Sequence, residues 1–338
     1  MATDQAQLTE RGQHQATGPA IVFEHVTKRF AAATQAAVDD VSLEVRYGEL
    51  VVLLGPSGCG KTTLLKMVNR LYEHDAGRIL IEGREANSFK VTDLRRRIGY
   101  VIQSTGLFPH MTVAKNVATV PEMLGWDKAR IDTRIDELLN LVGLSPAEYR
   151  QRYPAQLSGG QQQRVGLARA LAADPSIMLM DEPFAAIDNI TRRRLQDELL
   201  QIQAKVRKTI LFVTHDVEEA IRLADRITIM RSGRVVQYDT PLNILTSPAD
   251  SFVADLVGAE DALRKLGLLS VQSVALLGPP SGPTNNRPSI PASSTLREAL
   301  SLLLTSGADA LTVVDADGKP VGTVDMPAIR QATRGADA

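Results

Sequence analysis

Residues 55–62 read Gly-Pro-Ser-Gly-Cys-Gly-Lys-Thr and follow directly on the apolar run Leu50-Val51-Val52-Leu53-Leu54. A strand that ends in a glycine-rich turn and passes into a helix leaves few folds open. The strand must be buried in a sheet, with the turn at its carboxyl edge. Gly55 closes the strand, while Gly58 and Gly60 permit positive φ and bring backbone N–H groups close to an anion. The helix expected to begin near Gly60 points its unpaired N–H groups and the positive end of its dipole at the same anion. Lys61 adds a full charge toward β- and γ-phosphates, and Thr62 adds a hydroxyl for Mg²⁺. Pro56, Ser57, Cys59 and Thr63 complete the stretch expected to surround the phosphates. One charge pair at ~4 Å is worth about 4 kcal/mol at an effective dielectric of about 20, so this geometry outweighs generic surface attraction. By chance the four fixed positions coincide in about one chain in a hundred of this length. The flanking strand and helix make coincidence rarer still.

A chain of 338 residues, 44% hydrophobic and 23% charged, can bury a full core and carry a smaller appendage, so two domains are expected. Its formal charge of -1 lacks the basic excess that sequence-independent binding to a phosphate backbone requires, so nucleic acid is a poor candidate partner. Cys59 is the one cysteine. No intramolecular disulfide can form, and a reducing, cytoplasmic setting is expected. No stretch approaches the ~18 to 20 apolar residues of a membrane helix. Residues 1–20 carry Asp4, Glu10 and several glutamines without an apolar core, and read as a disordered polar tail rather than a secretion signal.

Ile21 to Val26 and Val41 to Val45 alternate as strands do, which fits an antiparallel β edge beside the nucleotide core. Three buried-strand runs follow: Ile98 to Ile102 ends in Gln103, Ile177 to Met180 ends in Asp181-Glu182, and Ile210 to Thr214 ends in His215. Each delivers a polar residue at its carboxyl end, where open α/β sheets keep their ligand crevice. A parallel core follows. Ile131, Ile135, Leu138, Leu139 and Val142 share one helical face, which points to a helical subdomain inserted over about 104–156. Leu195, Leu199, Ile202 and Val206 mark a further amphipathic helix, and its Arg192-Arg193-Arg194 run reads as a solvated face. From 267 to about 287 the chain becomes turn-rich, notably over 278–283, and a small α+β module follows. In that module Leu296, Ala299, Leu300 and Leu303 line a helix, and strands are expected at 310–314 and 321–324.

Phosphoryl transfer to water needs a carboxylate near Mg²⁺ and another near the attacking water; Asp181 is assigned to the metal and Glu182 to the water. Gln103 can bind metal-held water and orient the nucleophile through its amide. His215 can donate a hydrogen bond to the γ-phosphate. His14, His25, His74 and His110 read as ordinary polar side chains. Leu157-Ser158-Gly159-Gly160-Gln161 opens another helix, and its hydroxyl, bare backbone and N–H groups form a second anion site. The same residues would also serve as a plain helix cap.

Taken in order, these segments resemble the ABC-type ATPases across residues 21–258. Gly55 to Thr62 is similar to a Walker A loop, Gln103 to a Q-loop, and Leu157 to Gln161 to the family signature. Ile177 to Glu182 is similar to a Walker B strand, Ala186-Ile187-Asp188 to a D-loop, and His215 to the switch histidine. The resemblance implies a P-loop NTPase fold of the RecA-like kind, with a parallel sheet core, an antiparallel β edge and an inserted helical subdomain. It implies a head-to-tail dimer of two copies, in which Ser158, Gly160 and Gln161 of one copy close on the ATP held by the other and Asp188 crosses the interface. Phe30 stands where the family stacks adenine on an aromatic ring.

A finer resemblance rests on Val26 to Phe30, Leu94 to Gln103, Gly106 to Thr112 and Asp181 to Phe184. These are similar to the ATP-binding subunits of quaternary-amine importers, which carry glycine betaine, carnitine, choline or proline. Phe184-Ala185-Ala186-Ile187-Asp188 departs where the family more often has Gly-Ala-Leu before the aspartate. After a linker over 259–289, residues 290–332 resemble one CBS module, with Pro291, Leu296, Glu298-Ala299-Leu300, Val313-Val314-Asp315, Gly318 and Gly322 in order. The Thr and Asp that hold a nucleotide ribose in such modules would fall near Asp325 and Ala328, where this sequence departs from the pattern, and a regulatory sensor and a dimerisation tail both stay open. The resemblance further implies an integral membrane permease as partner, a substrate-binding protein acting indirectly, and a peripheral location at the cytoplasmic face of the membrane. Two rivals remain. One is the subunit of a methionine, polyamine or other amino-acid importer. The other is a soluble ABC protein working on ribosomes or DNA, which would carry tandem cassettes or a long coiled-coil insertion, whereas this chain has a single cassette.

Overall fold

In the computed structural model, which describes residues 18–333 apart from 32, 104, 105, 186, 260, 275 and 278–286, the chain enters directly into strand β1 (Pro19–Lys28). The strand takes in Pro19 and Ala20, which polarity alone assigns to the tail, because Ala20 is fully buried. Residues 1–17 and the turn-rich 278–283 lie outside the described residues. Alternating burial continues in β2 (Val38–Arg46), which pairs antiparallel with β1. The next strand, β3 (Leu50–Leu54), departs into a second sheet. Then β4 (Ala76–Ile81) and β5 (Arg84–Glu85) complete the first in the order β2-β1-β4-β5. This is the expected antiparallel edge, enlarged by two strands.

The second sheet adds β6 (Ile98–Val101), β7 (Ile177–Asp181), β8 (Thr209–Thr214), β9 (Arg226–Arg231) and β10 (Arg234–Asp239) in the order β10-β9-β3-β8-β7-β6. The five strands from β9 to β6 run parallel. Every residue of β3, β7 and β8 is buried, as a parallel sheet covered on both faces demands. That requirement is why these strands read as unbroken apolar runs.

Helix α1 (Lys61–Val68) follows the glycine-rich loop, and α2 (Val91–Arg97) leads into β6. The insertion is built from α3 (Val113–Met123), α4 (Lys128–Leu141) and the one-turn α5 (Pro146–Tyr149). Ile131, Ile135, Leu138 and Leu139 form the buried face of α4, as their spacing predicts. Helix α6 (Gly159–Leu171) packs against α3 and α4 and also against β6, so it belongs to insertion and sheet alike. Asn116 of α3 is fully buried. Its Nδ2 donates to the carbonyls of Phe108, Met111 and Thr112, and its Oδ1 accepts from the Phe108 N–H. One amide thereby organises the loop that leads from β6 into the insertion. Helices α7 (Asn189–Val206) and α8 (Val217–Leu223) follow β7 and β8, capped by Asp188 and Asp216.

Packing divides the chain into two compact units, 1–236 and 237–338, the division falling inside β10. Helices α9 (Pro241–Thr246), α10 (Ser251–Val257) and α11 (Ala262–Leu268) go with the second unit by packing, although the sequence motifs run on to 258. The second unit holds a small sheet of β11 (Leu276–Leu277), β12 (Ser289–Pro291), β13 (Ala310–Val314) and β14 (Pro320–Asp325), ordered β11-β14-β13-β12. It also holds α12 (Leu296–Ser306) and α13 (Met326–Thr333). Leu296, Ala299 and Leu303 of α12 share a core with Leu266, Leu311, Val313, Val324 and Ile329. Thr295 and Glu298 form a reciprocal capping box, and Gly307 ends the helix at φ +66. The expected α+β module is present.

Candidate active site

Register brings the carboxyl ends of four parallel strands to one edge. Leu54 pairs with Thr214, Val213 with Asp181, and Met180 with Val101, so Gly55, His215, Glu182 and Gln103 all emerge there. The loop between β3 and α1 is shaped by close approach. A Cβ on Gly55 would lie 2.3 Å from the Met230 carbonyl oxygen, and one on Gly60, at φ +107, would lie 2.2 Å from that of Ala37. Gly58, at φ +81, faces open space. Its requirement is conformational, and the open side is where an anion can approach. Lys61 is buried, with Nζ donating to the Gly55 carbonyl at 2.6 Å and that of Pro56 at 3.1 Å. Pro56 and Ser57 are exposed on the open side and Thr63 is half-buried on α1. The Cys59 side chain turns inward beneath the loop, and burial pushes its thiol up.

Two contacts join the loop, β7 and β8. Thr62 Oγ1 donates to Asp181 Oδ1 at 2.8 Å. Asp181 is buried, and that burial pushes its carboxyl above the usual carboxylate range, with the Thr62 hydroxyl pulling the other way. A buried carboxylate without a cation is costly, and a hydroxyl paired with one carboxylate offers Mg²⁺ two hard oxygens. Among the described residues no group of three or more His, Cys, Asp or Glu could hold a metal. The set therefore fits an ion that keeps phosphate and water oxygens as its other ligands. The second contact is His215 Nδ1 to Glu182 Oε2 at 3.1 Å. Glu182 sits at φ +45, strained for a non-glycine residue, and its N–H bonds the Val213 carbonyl at 3.0 Å. That twist just past β7 separates the directions of two adjacent carboxylates, Asp181 toward Thr62 and Glu182 toward His215.

Gln103 lies exposed two residues beyond β6. Ser158 and Gln161 make a reciprocal capping box, with the Ser158 hydroxyl accepting from Gln161 N–H at 3.3 Å and Gln161 Oε1 from Ser158 N–H at 2.9 Å. Gln161 Nε2 donates to the Tyr149 hydroxyl. Gly159 is exposed, and a Cβ on Gly160 would lie 3.3 Å from the Thr191 methyl. Asp188 caps α7 through the Thr191 N–H, and that bond holds its carboxyl below the usual range. The described hydrogen bonds of Ser158, Gln161 and Asp188 thus stay on their own side of the molecule and do not reach residues 55–62. The plain helix cap that these residues allow is therefore present in the structure.

Three side chains here take parts that the sequence pattern does not show. Tyr72 meets Phe30 edge-on, ring centroids 5.2 Å apart, while Lys28 Nζ lies over the Phe30 ring. Arg192 is not part of a solvated face as its run suggests, since it bonds Asp216 and the Ile187 carbonyl, whereas Arg193 and Arg194 are exposed. Glu219 is a buried carboxylate bonded by Gln196 Nε2, and burial raises its carboxyl. A charge run and a lone aromatic carry no local signal for such roles.

The sequence pattern described as "ABC transporter" matches residues 38–185, and that of the CBS domain matches 283–334. The chain is 47% identical over 318 residues to the osmoprotectant import ATP-binding protein OsmV of Salmonella typhimurium, covering 93% of this chain and 81% of that protein. It is 50% identical over 304 residues to the glycine betaine uptake system ATP-binding protein YehX of Escherichia coli, covering 90% of this chain and 97% of the other. Among solved structures it is similar to the dimeric post-hydrolysis state of the ATP-binding cassette MJ0796 bound to ADP and Pi. That likeness has 32% identity and a TM-score of 0.58, over 65% of this chain and 98% of the other.

Proposed function

The chain belongs to the ATP-binding subunits of ABC transporters, and from that premise we propose that it powers import of an osmoprotectant quaternary amine through a separate integral membrane permease. Glycine betaine, choline, carnitine and proline are the solutes in view. The reading is carried by one observation: likeness to osmoprotectant and glycine betaine subunits continues past the nucleotide cassette over 90% or more of the chain. The reaction is hydrolysis of ATP to ADP and phosphate.

Each site residue has a part in this reading. The backbone of residues 55–63 and the Lys61 ammonium hold the phosphates, and Phe30 stacks on the adenine. Mg²⁺, held by Thr62 and Asp181 with Gln103 on its water shell, would neutralise charge on the β- and γ-phosphates. Glu182 orients the attacking water and accepts its proton as the oxygen bonds to phosphorus. His215 holds Glu182 through Nδ1 and donates to the γ-phosphate through Nε2. Ser158, Gly159, Gly160 and Gln161 close on the ATP held by a second copy, and Asp188 crosses the same interface. Ser158 and Gly159 are exposed, and the described hydrogen bonds of Ser158 and Gln161 do not reach the loop of their own copy, which suits that arrangement.

ATP binding then closes the dimer, and hydrolysis with phosphate release reopens it. The helical insertion, joined to the sheet just after Gln103, passes that movement to the permease. Among the described residues no helix is long and apolar enough to cross a membrane. In this reading the permease anchors the subunit at the cytoplasmic face, and a substrate-binding protein delivers the solute to it. Reconstitution with the cognate permease and binding protein tests the reading. ATP-dependent uptake of labelled glycine betaine or choline is expected, and uptake of methionine or spermidine without any betaine uptake would overturn it.

A further inference from the structure

Directly behind the Glu182–His215 pair lies a cavity of about 30 Å³ lined by Glu182, Arg192, Thr214, His215, Asp216 and Glu219. Arg192 bridges it. Its Nη2 donates to the Ile187 carbonyl at 2.9 Å and its Nη1 to Asp216 Oδ2 at 3.2 Å. Ile187 precedes Asp188, and Asp216 follows His215. The guanidinium therefore ties the backbone that sets Asp188 to the residue that sets the histidine. Both ends of the tie are themselves fixed. Asp216 Oδ1 accepts from Glu219 N–H, and its own N–H donates to Thr214 Oγ1. On the other side, the Asp188 carbonyl accepts from Arg192 N–H at 2.8 Å. Arg192 Nε is buried with no hydrogen-bond partner among the described residues. A buried donor left without a partner calls for a reason beyond the filling of space.

We propose that Arg192 is a positioning residue that couples the two ATP sites of the dimer, transmitting the setting of Asp188 at the interface to His215 and so to Glu182. The inference rests on the reading that Asp188 crosses to the second copy. A planar fork is needed, because two acceptors on different segments must be held at once. When a second copy engages Asp188, the Ile187 carbonyl shifts, and the rigid guanidinium carries the shift to Asp216 and the adjacent imidazole. Hydrolysis at one site thus depends on correct docking of the other.

The test is steady-state ATPase of the full chain with its permease, comparing wild type with Arg192→Met, Arg192→Lys, Asp216→Asn and the Arg192→Met/Asp216→Asn double variant. Each single variant should lower kcat about tenfold or more while KM for ATP stays within about twofold, and the Hill coefficient should fall toward one. The double variant should be no worse than the singles, since both remove one linkage. Arg192→Lys should stay close to Arg192→Met, and it also carries the test if the methionine variant does not fold. Losses that add, a Lys variant with wild-type cooperativity, or a lower melting temperature with unchanged kcat and Hill coefficient would overturn the inference. Should wild type itself hydrolyse ATP without cooperativity and without pairing, the reading on which it rests fails instead.

Discussion

Thr62 Oγ1 and Asp181 Oδ1 lie 2.8 Å apart although 119 positions separate them in the chain. This bond fixes the first turn of α1 against the end of β7, and it defines where a divalent ion would sit. Burial holds the Asp181 carboxyl above its usual range, so the native state binds more protons there than the unfolded chain does. Its contribution to stability therefore falls as pH rises through the shifted value and stays lost at neutral pH. Without nucleotide, Asp181→Asn should melt above wild type near neutral pH, with the difference closing in acid. The same variant should lose hydrolysis by about 10²-fold or more. Melting curves across pH together with ATPase rates check both halves.

The glycines of the loop should separate by cause. Gly60→Ala places a methyl 2.2 Å from a backbone oxygen at φ +107, so backbone must move. A loss of roughly 2 kcal/mol or more in stability is expected. Gly58→Ala meets nothing within 4 Å. It should cost only about 1 kcal/mol of strain while weakening ATP binding, because its methyl enters the face left open to phosphate. Denaturant unfolding and nucleotide titration distinguish the two.

Asn116→Leu keeps the volume of a buried side chain but removes four hydrogen bonds to the 108–112 loop. Backbone groups left unsatisfied cost about 1–3 kcal/mol each, so destabilisation of about 3 kcal/mol is expected, together with faster hydrogen exchange over 108–112. An unchanged exchange pattern there would show that Asn116 does not organise the loop.

Phe30→Ala should weaken ATP by about tenfold, the size of one lost aromatic stack, while Phe30→Trp should retain affinity. Tyr72→Ala should have a smaller effect in the same direction, since its edge braces the Phe30 ring. Calorimetric titration of the three variants is the check.

Much of this site was legible because both faces of the parallel sheet are buried. Continuous apolar runs then mark β3, β7 and β8, and the first polar residue after each run falls at the crevice by necessity. The pairings Thr62–Asp181 and Glu182–His215 follow once those ends are aligned. What stayed hidden depends on facing rather than pattern. β4 begins with three exposed residues, Ala76, Gly77 and Arg78, and α2 buries Leu94 alone, so neither shows a period. Arg192 is indistinguishable from Arg193 and Arg194 as text, and only the turn of α7 aims the first of them at Asp216. Cys59 sits inside the glycine-rich loop, yet its side chain packs into the interior.

In the proposed mechanism two copies enclose ATP between the loop of one and the Ser158 segment of the other. Sedimentation of Glu182→Gln, in which hydrolysis should fall by about 10²- to 10³-fold, tests it most directly. With ATP and Mg²⁺ the variant should sediment as a dimer that reverts to monomer on nucleotide removal, and adding Ser158→Arg should abolish the dimer while each copy still binds ATP. A variant that stays monomeric at saturating ATP would show that ATP is not enclosed between two copies, and one that keeps wild-type turnover would show that Glu182 is not the base.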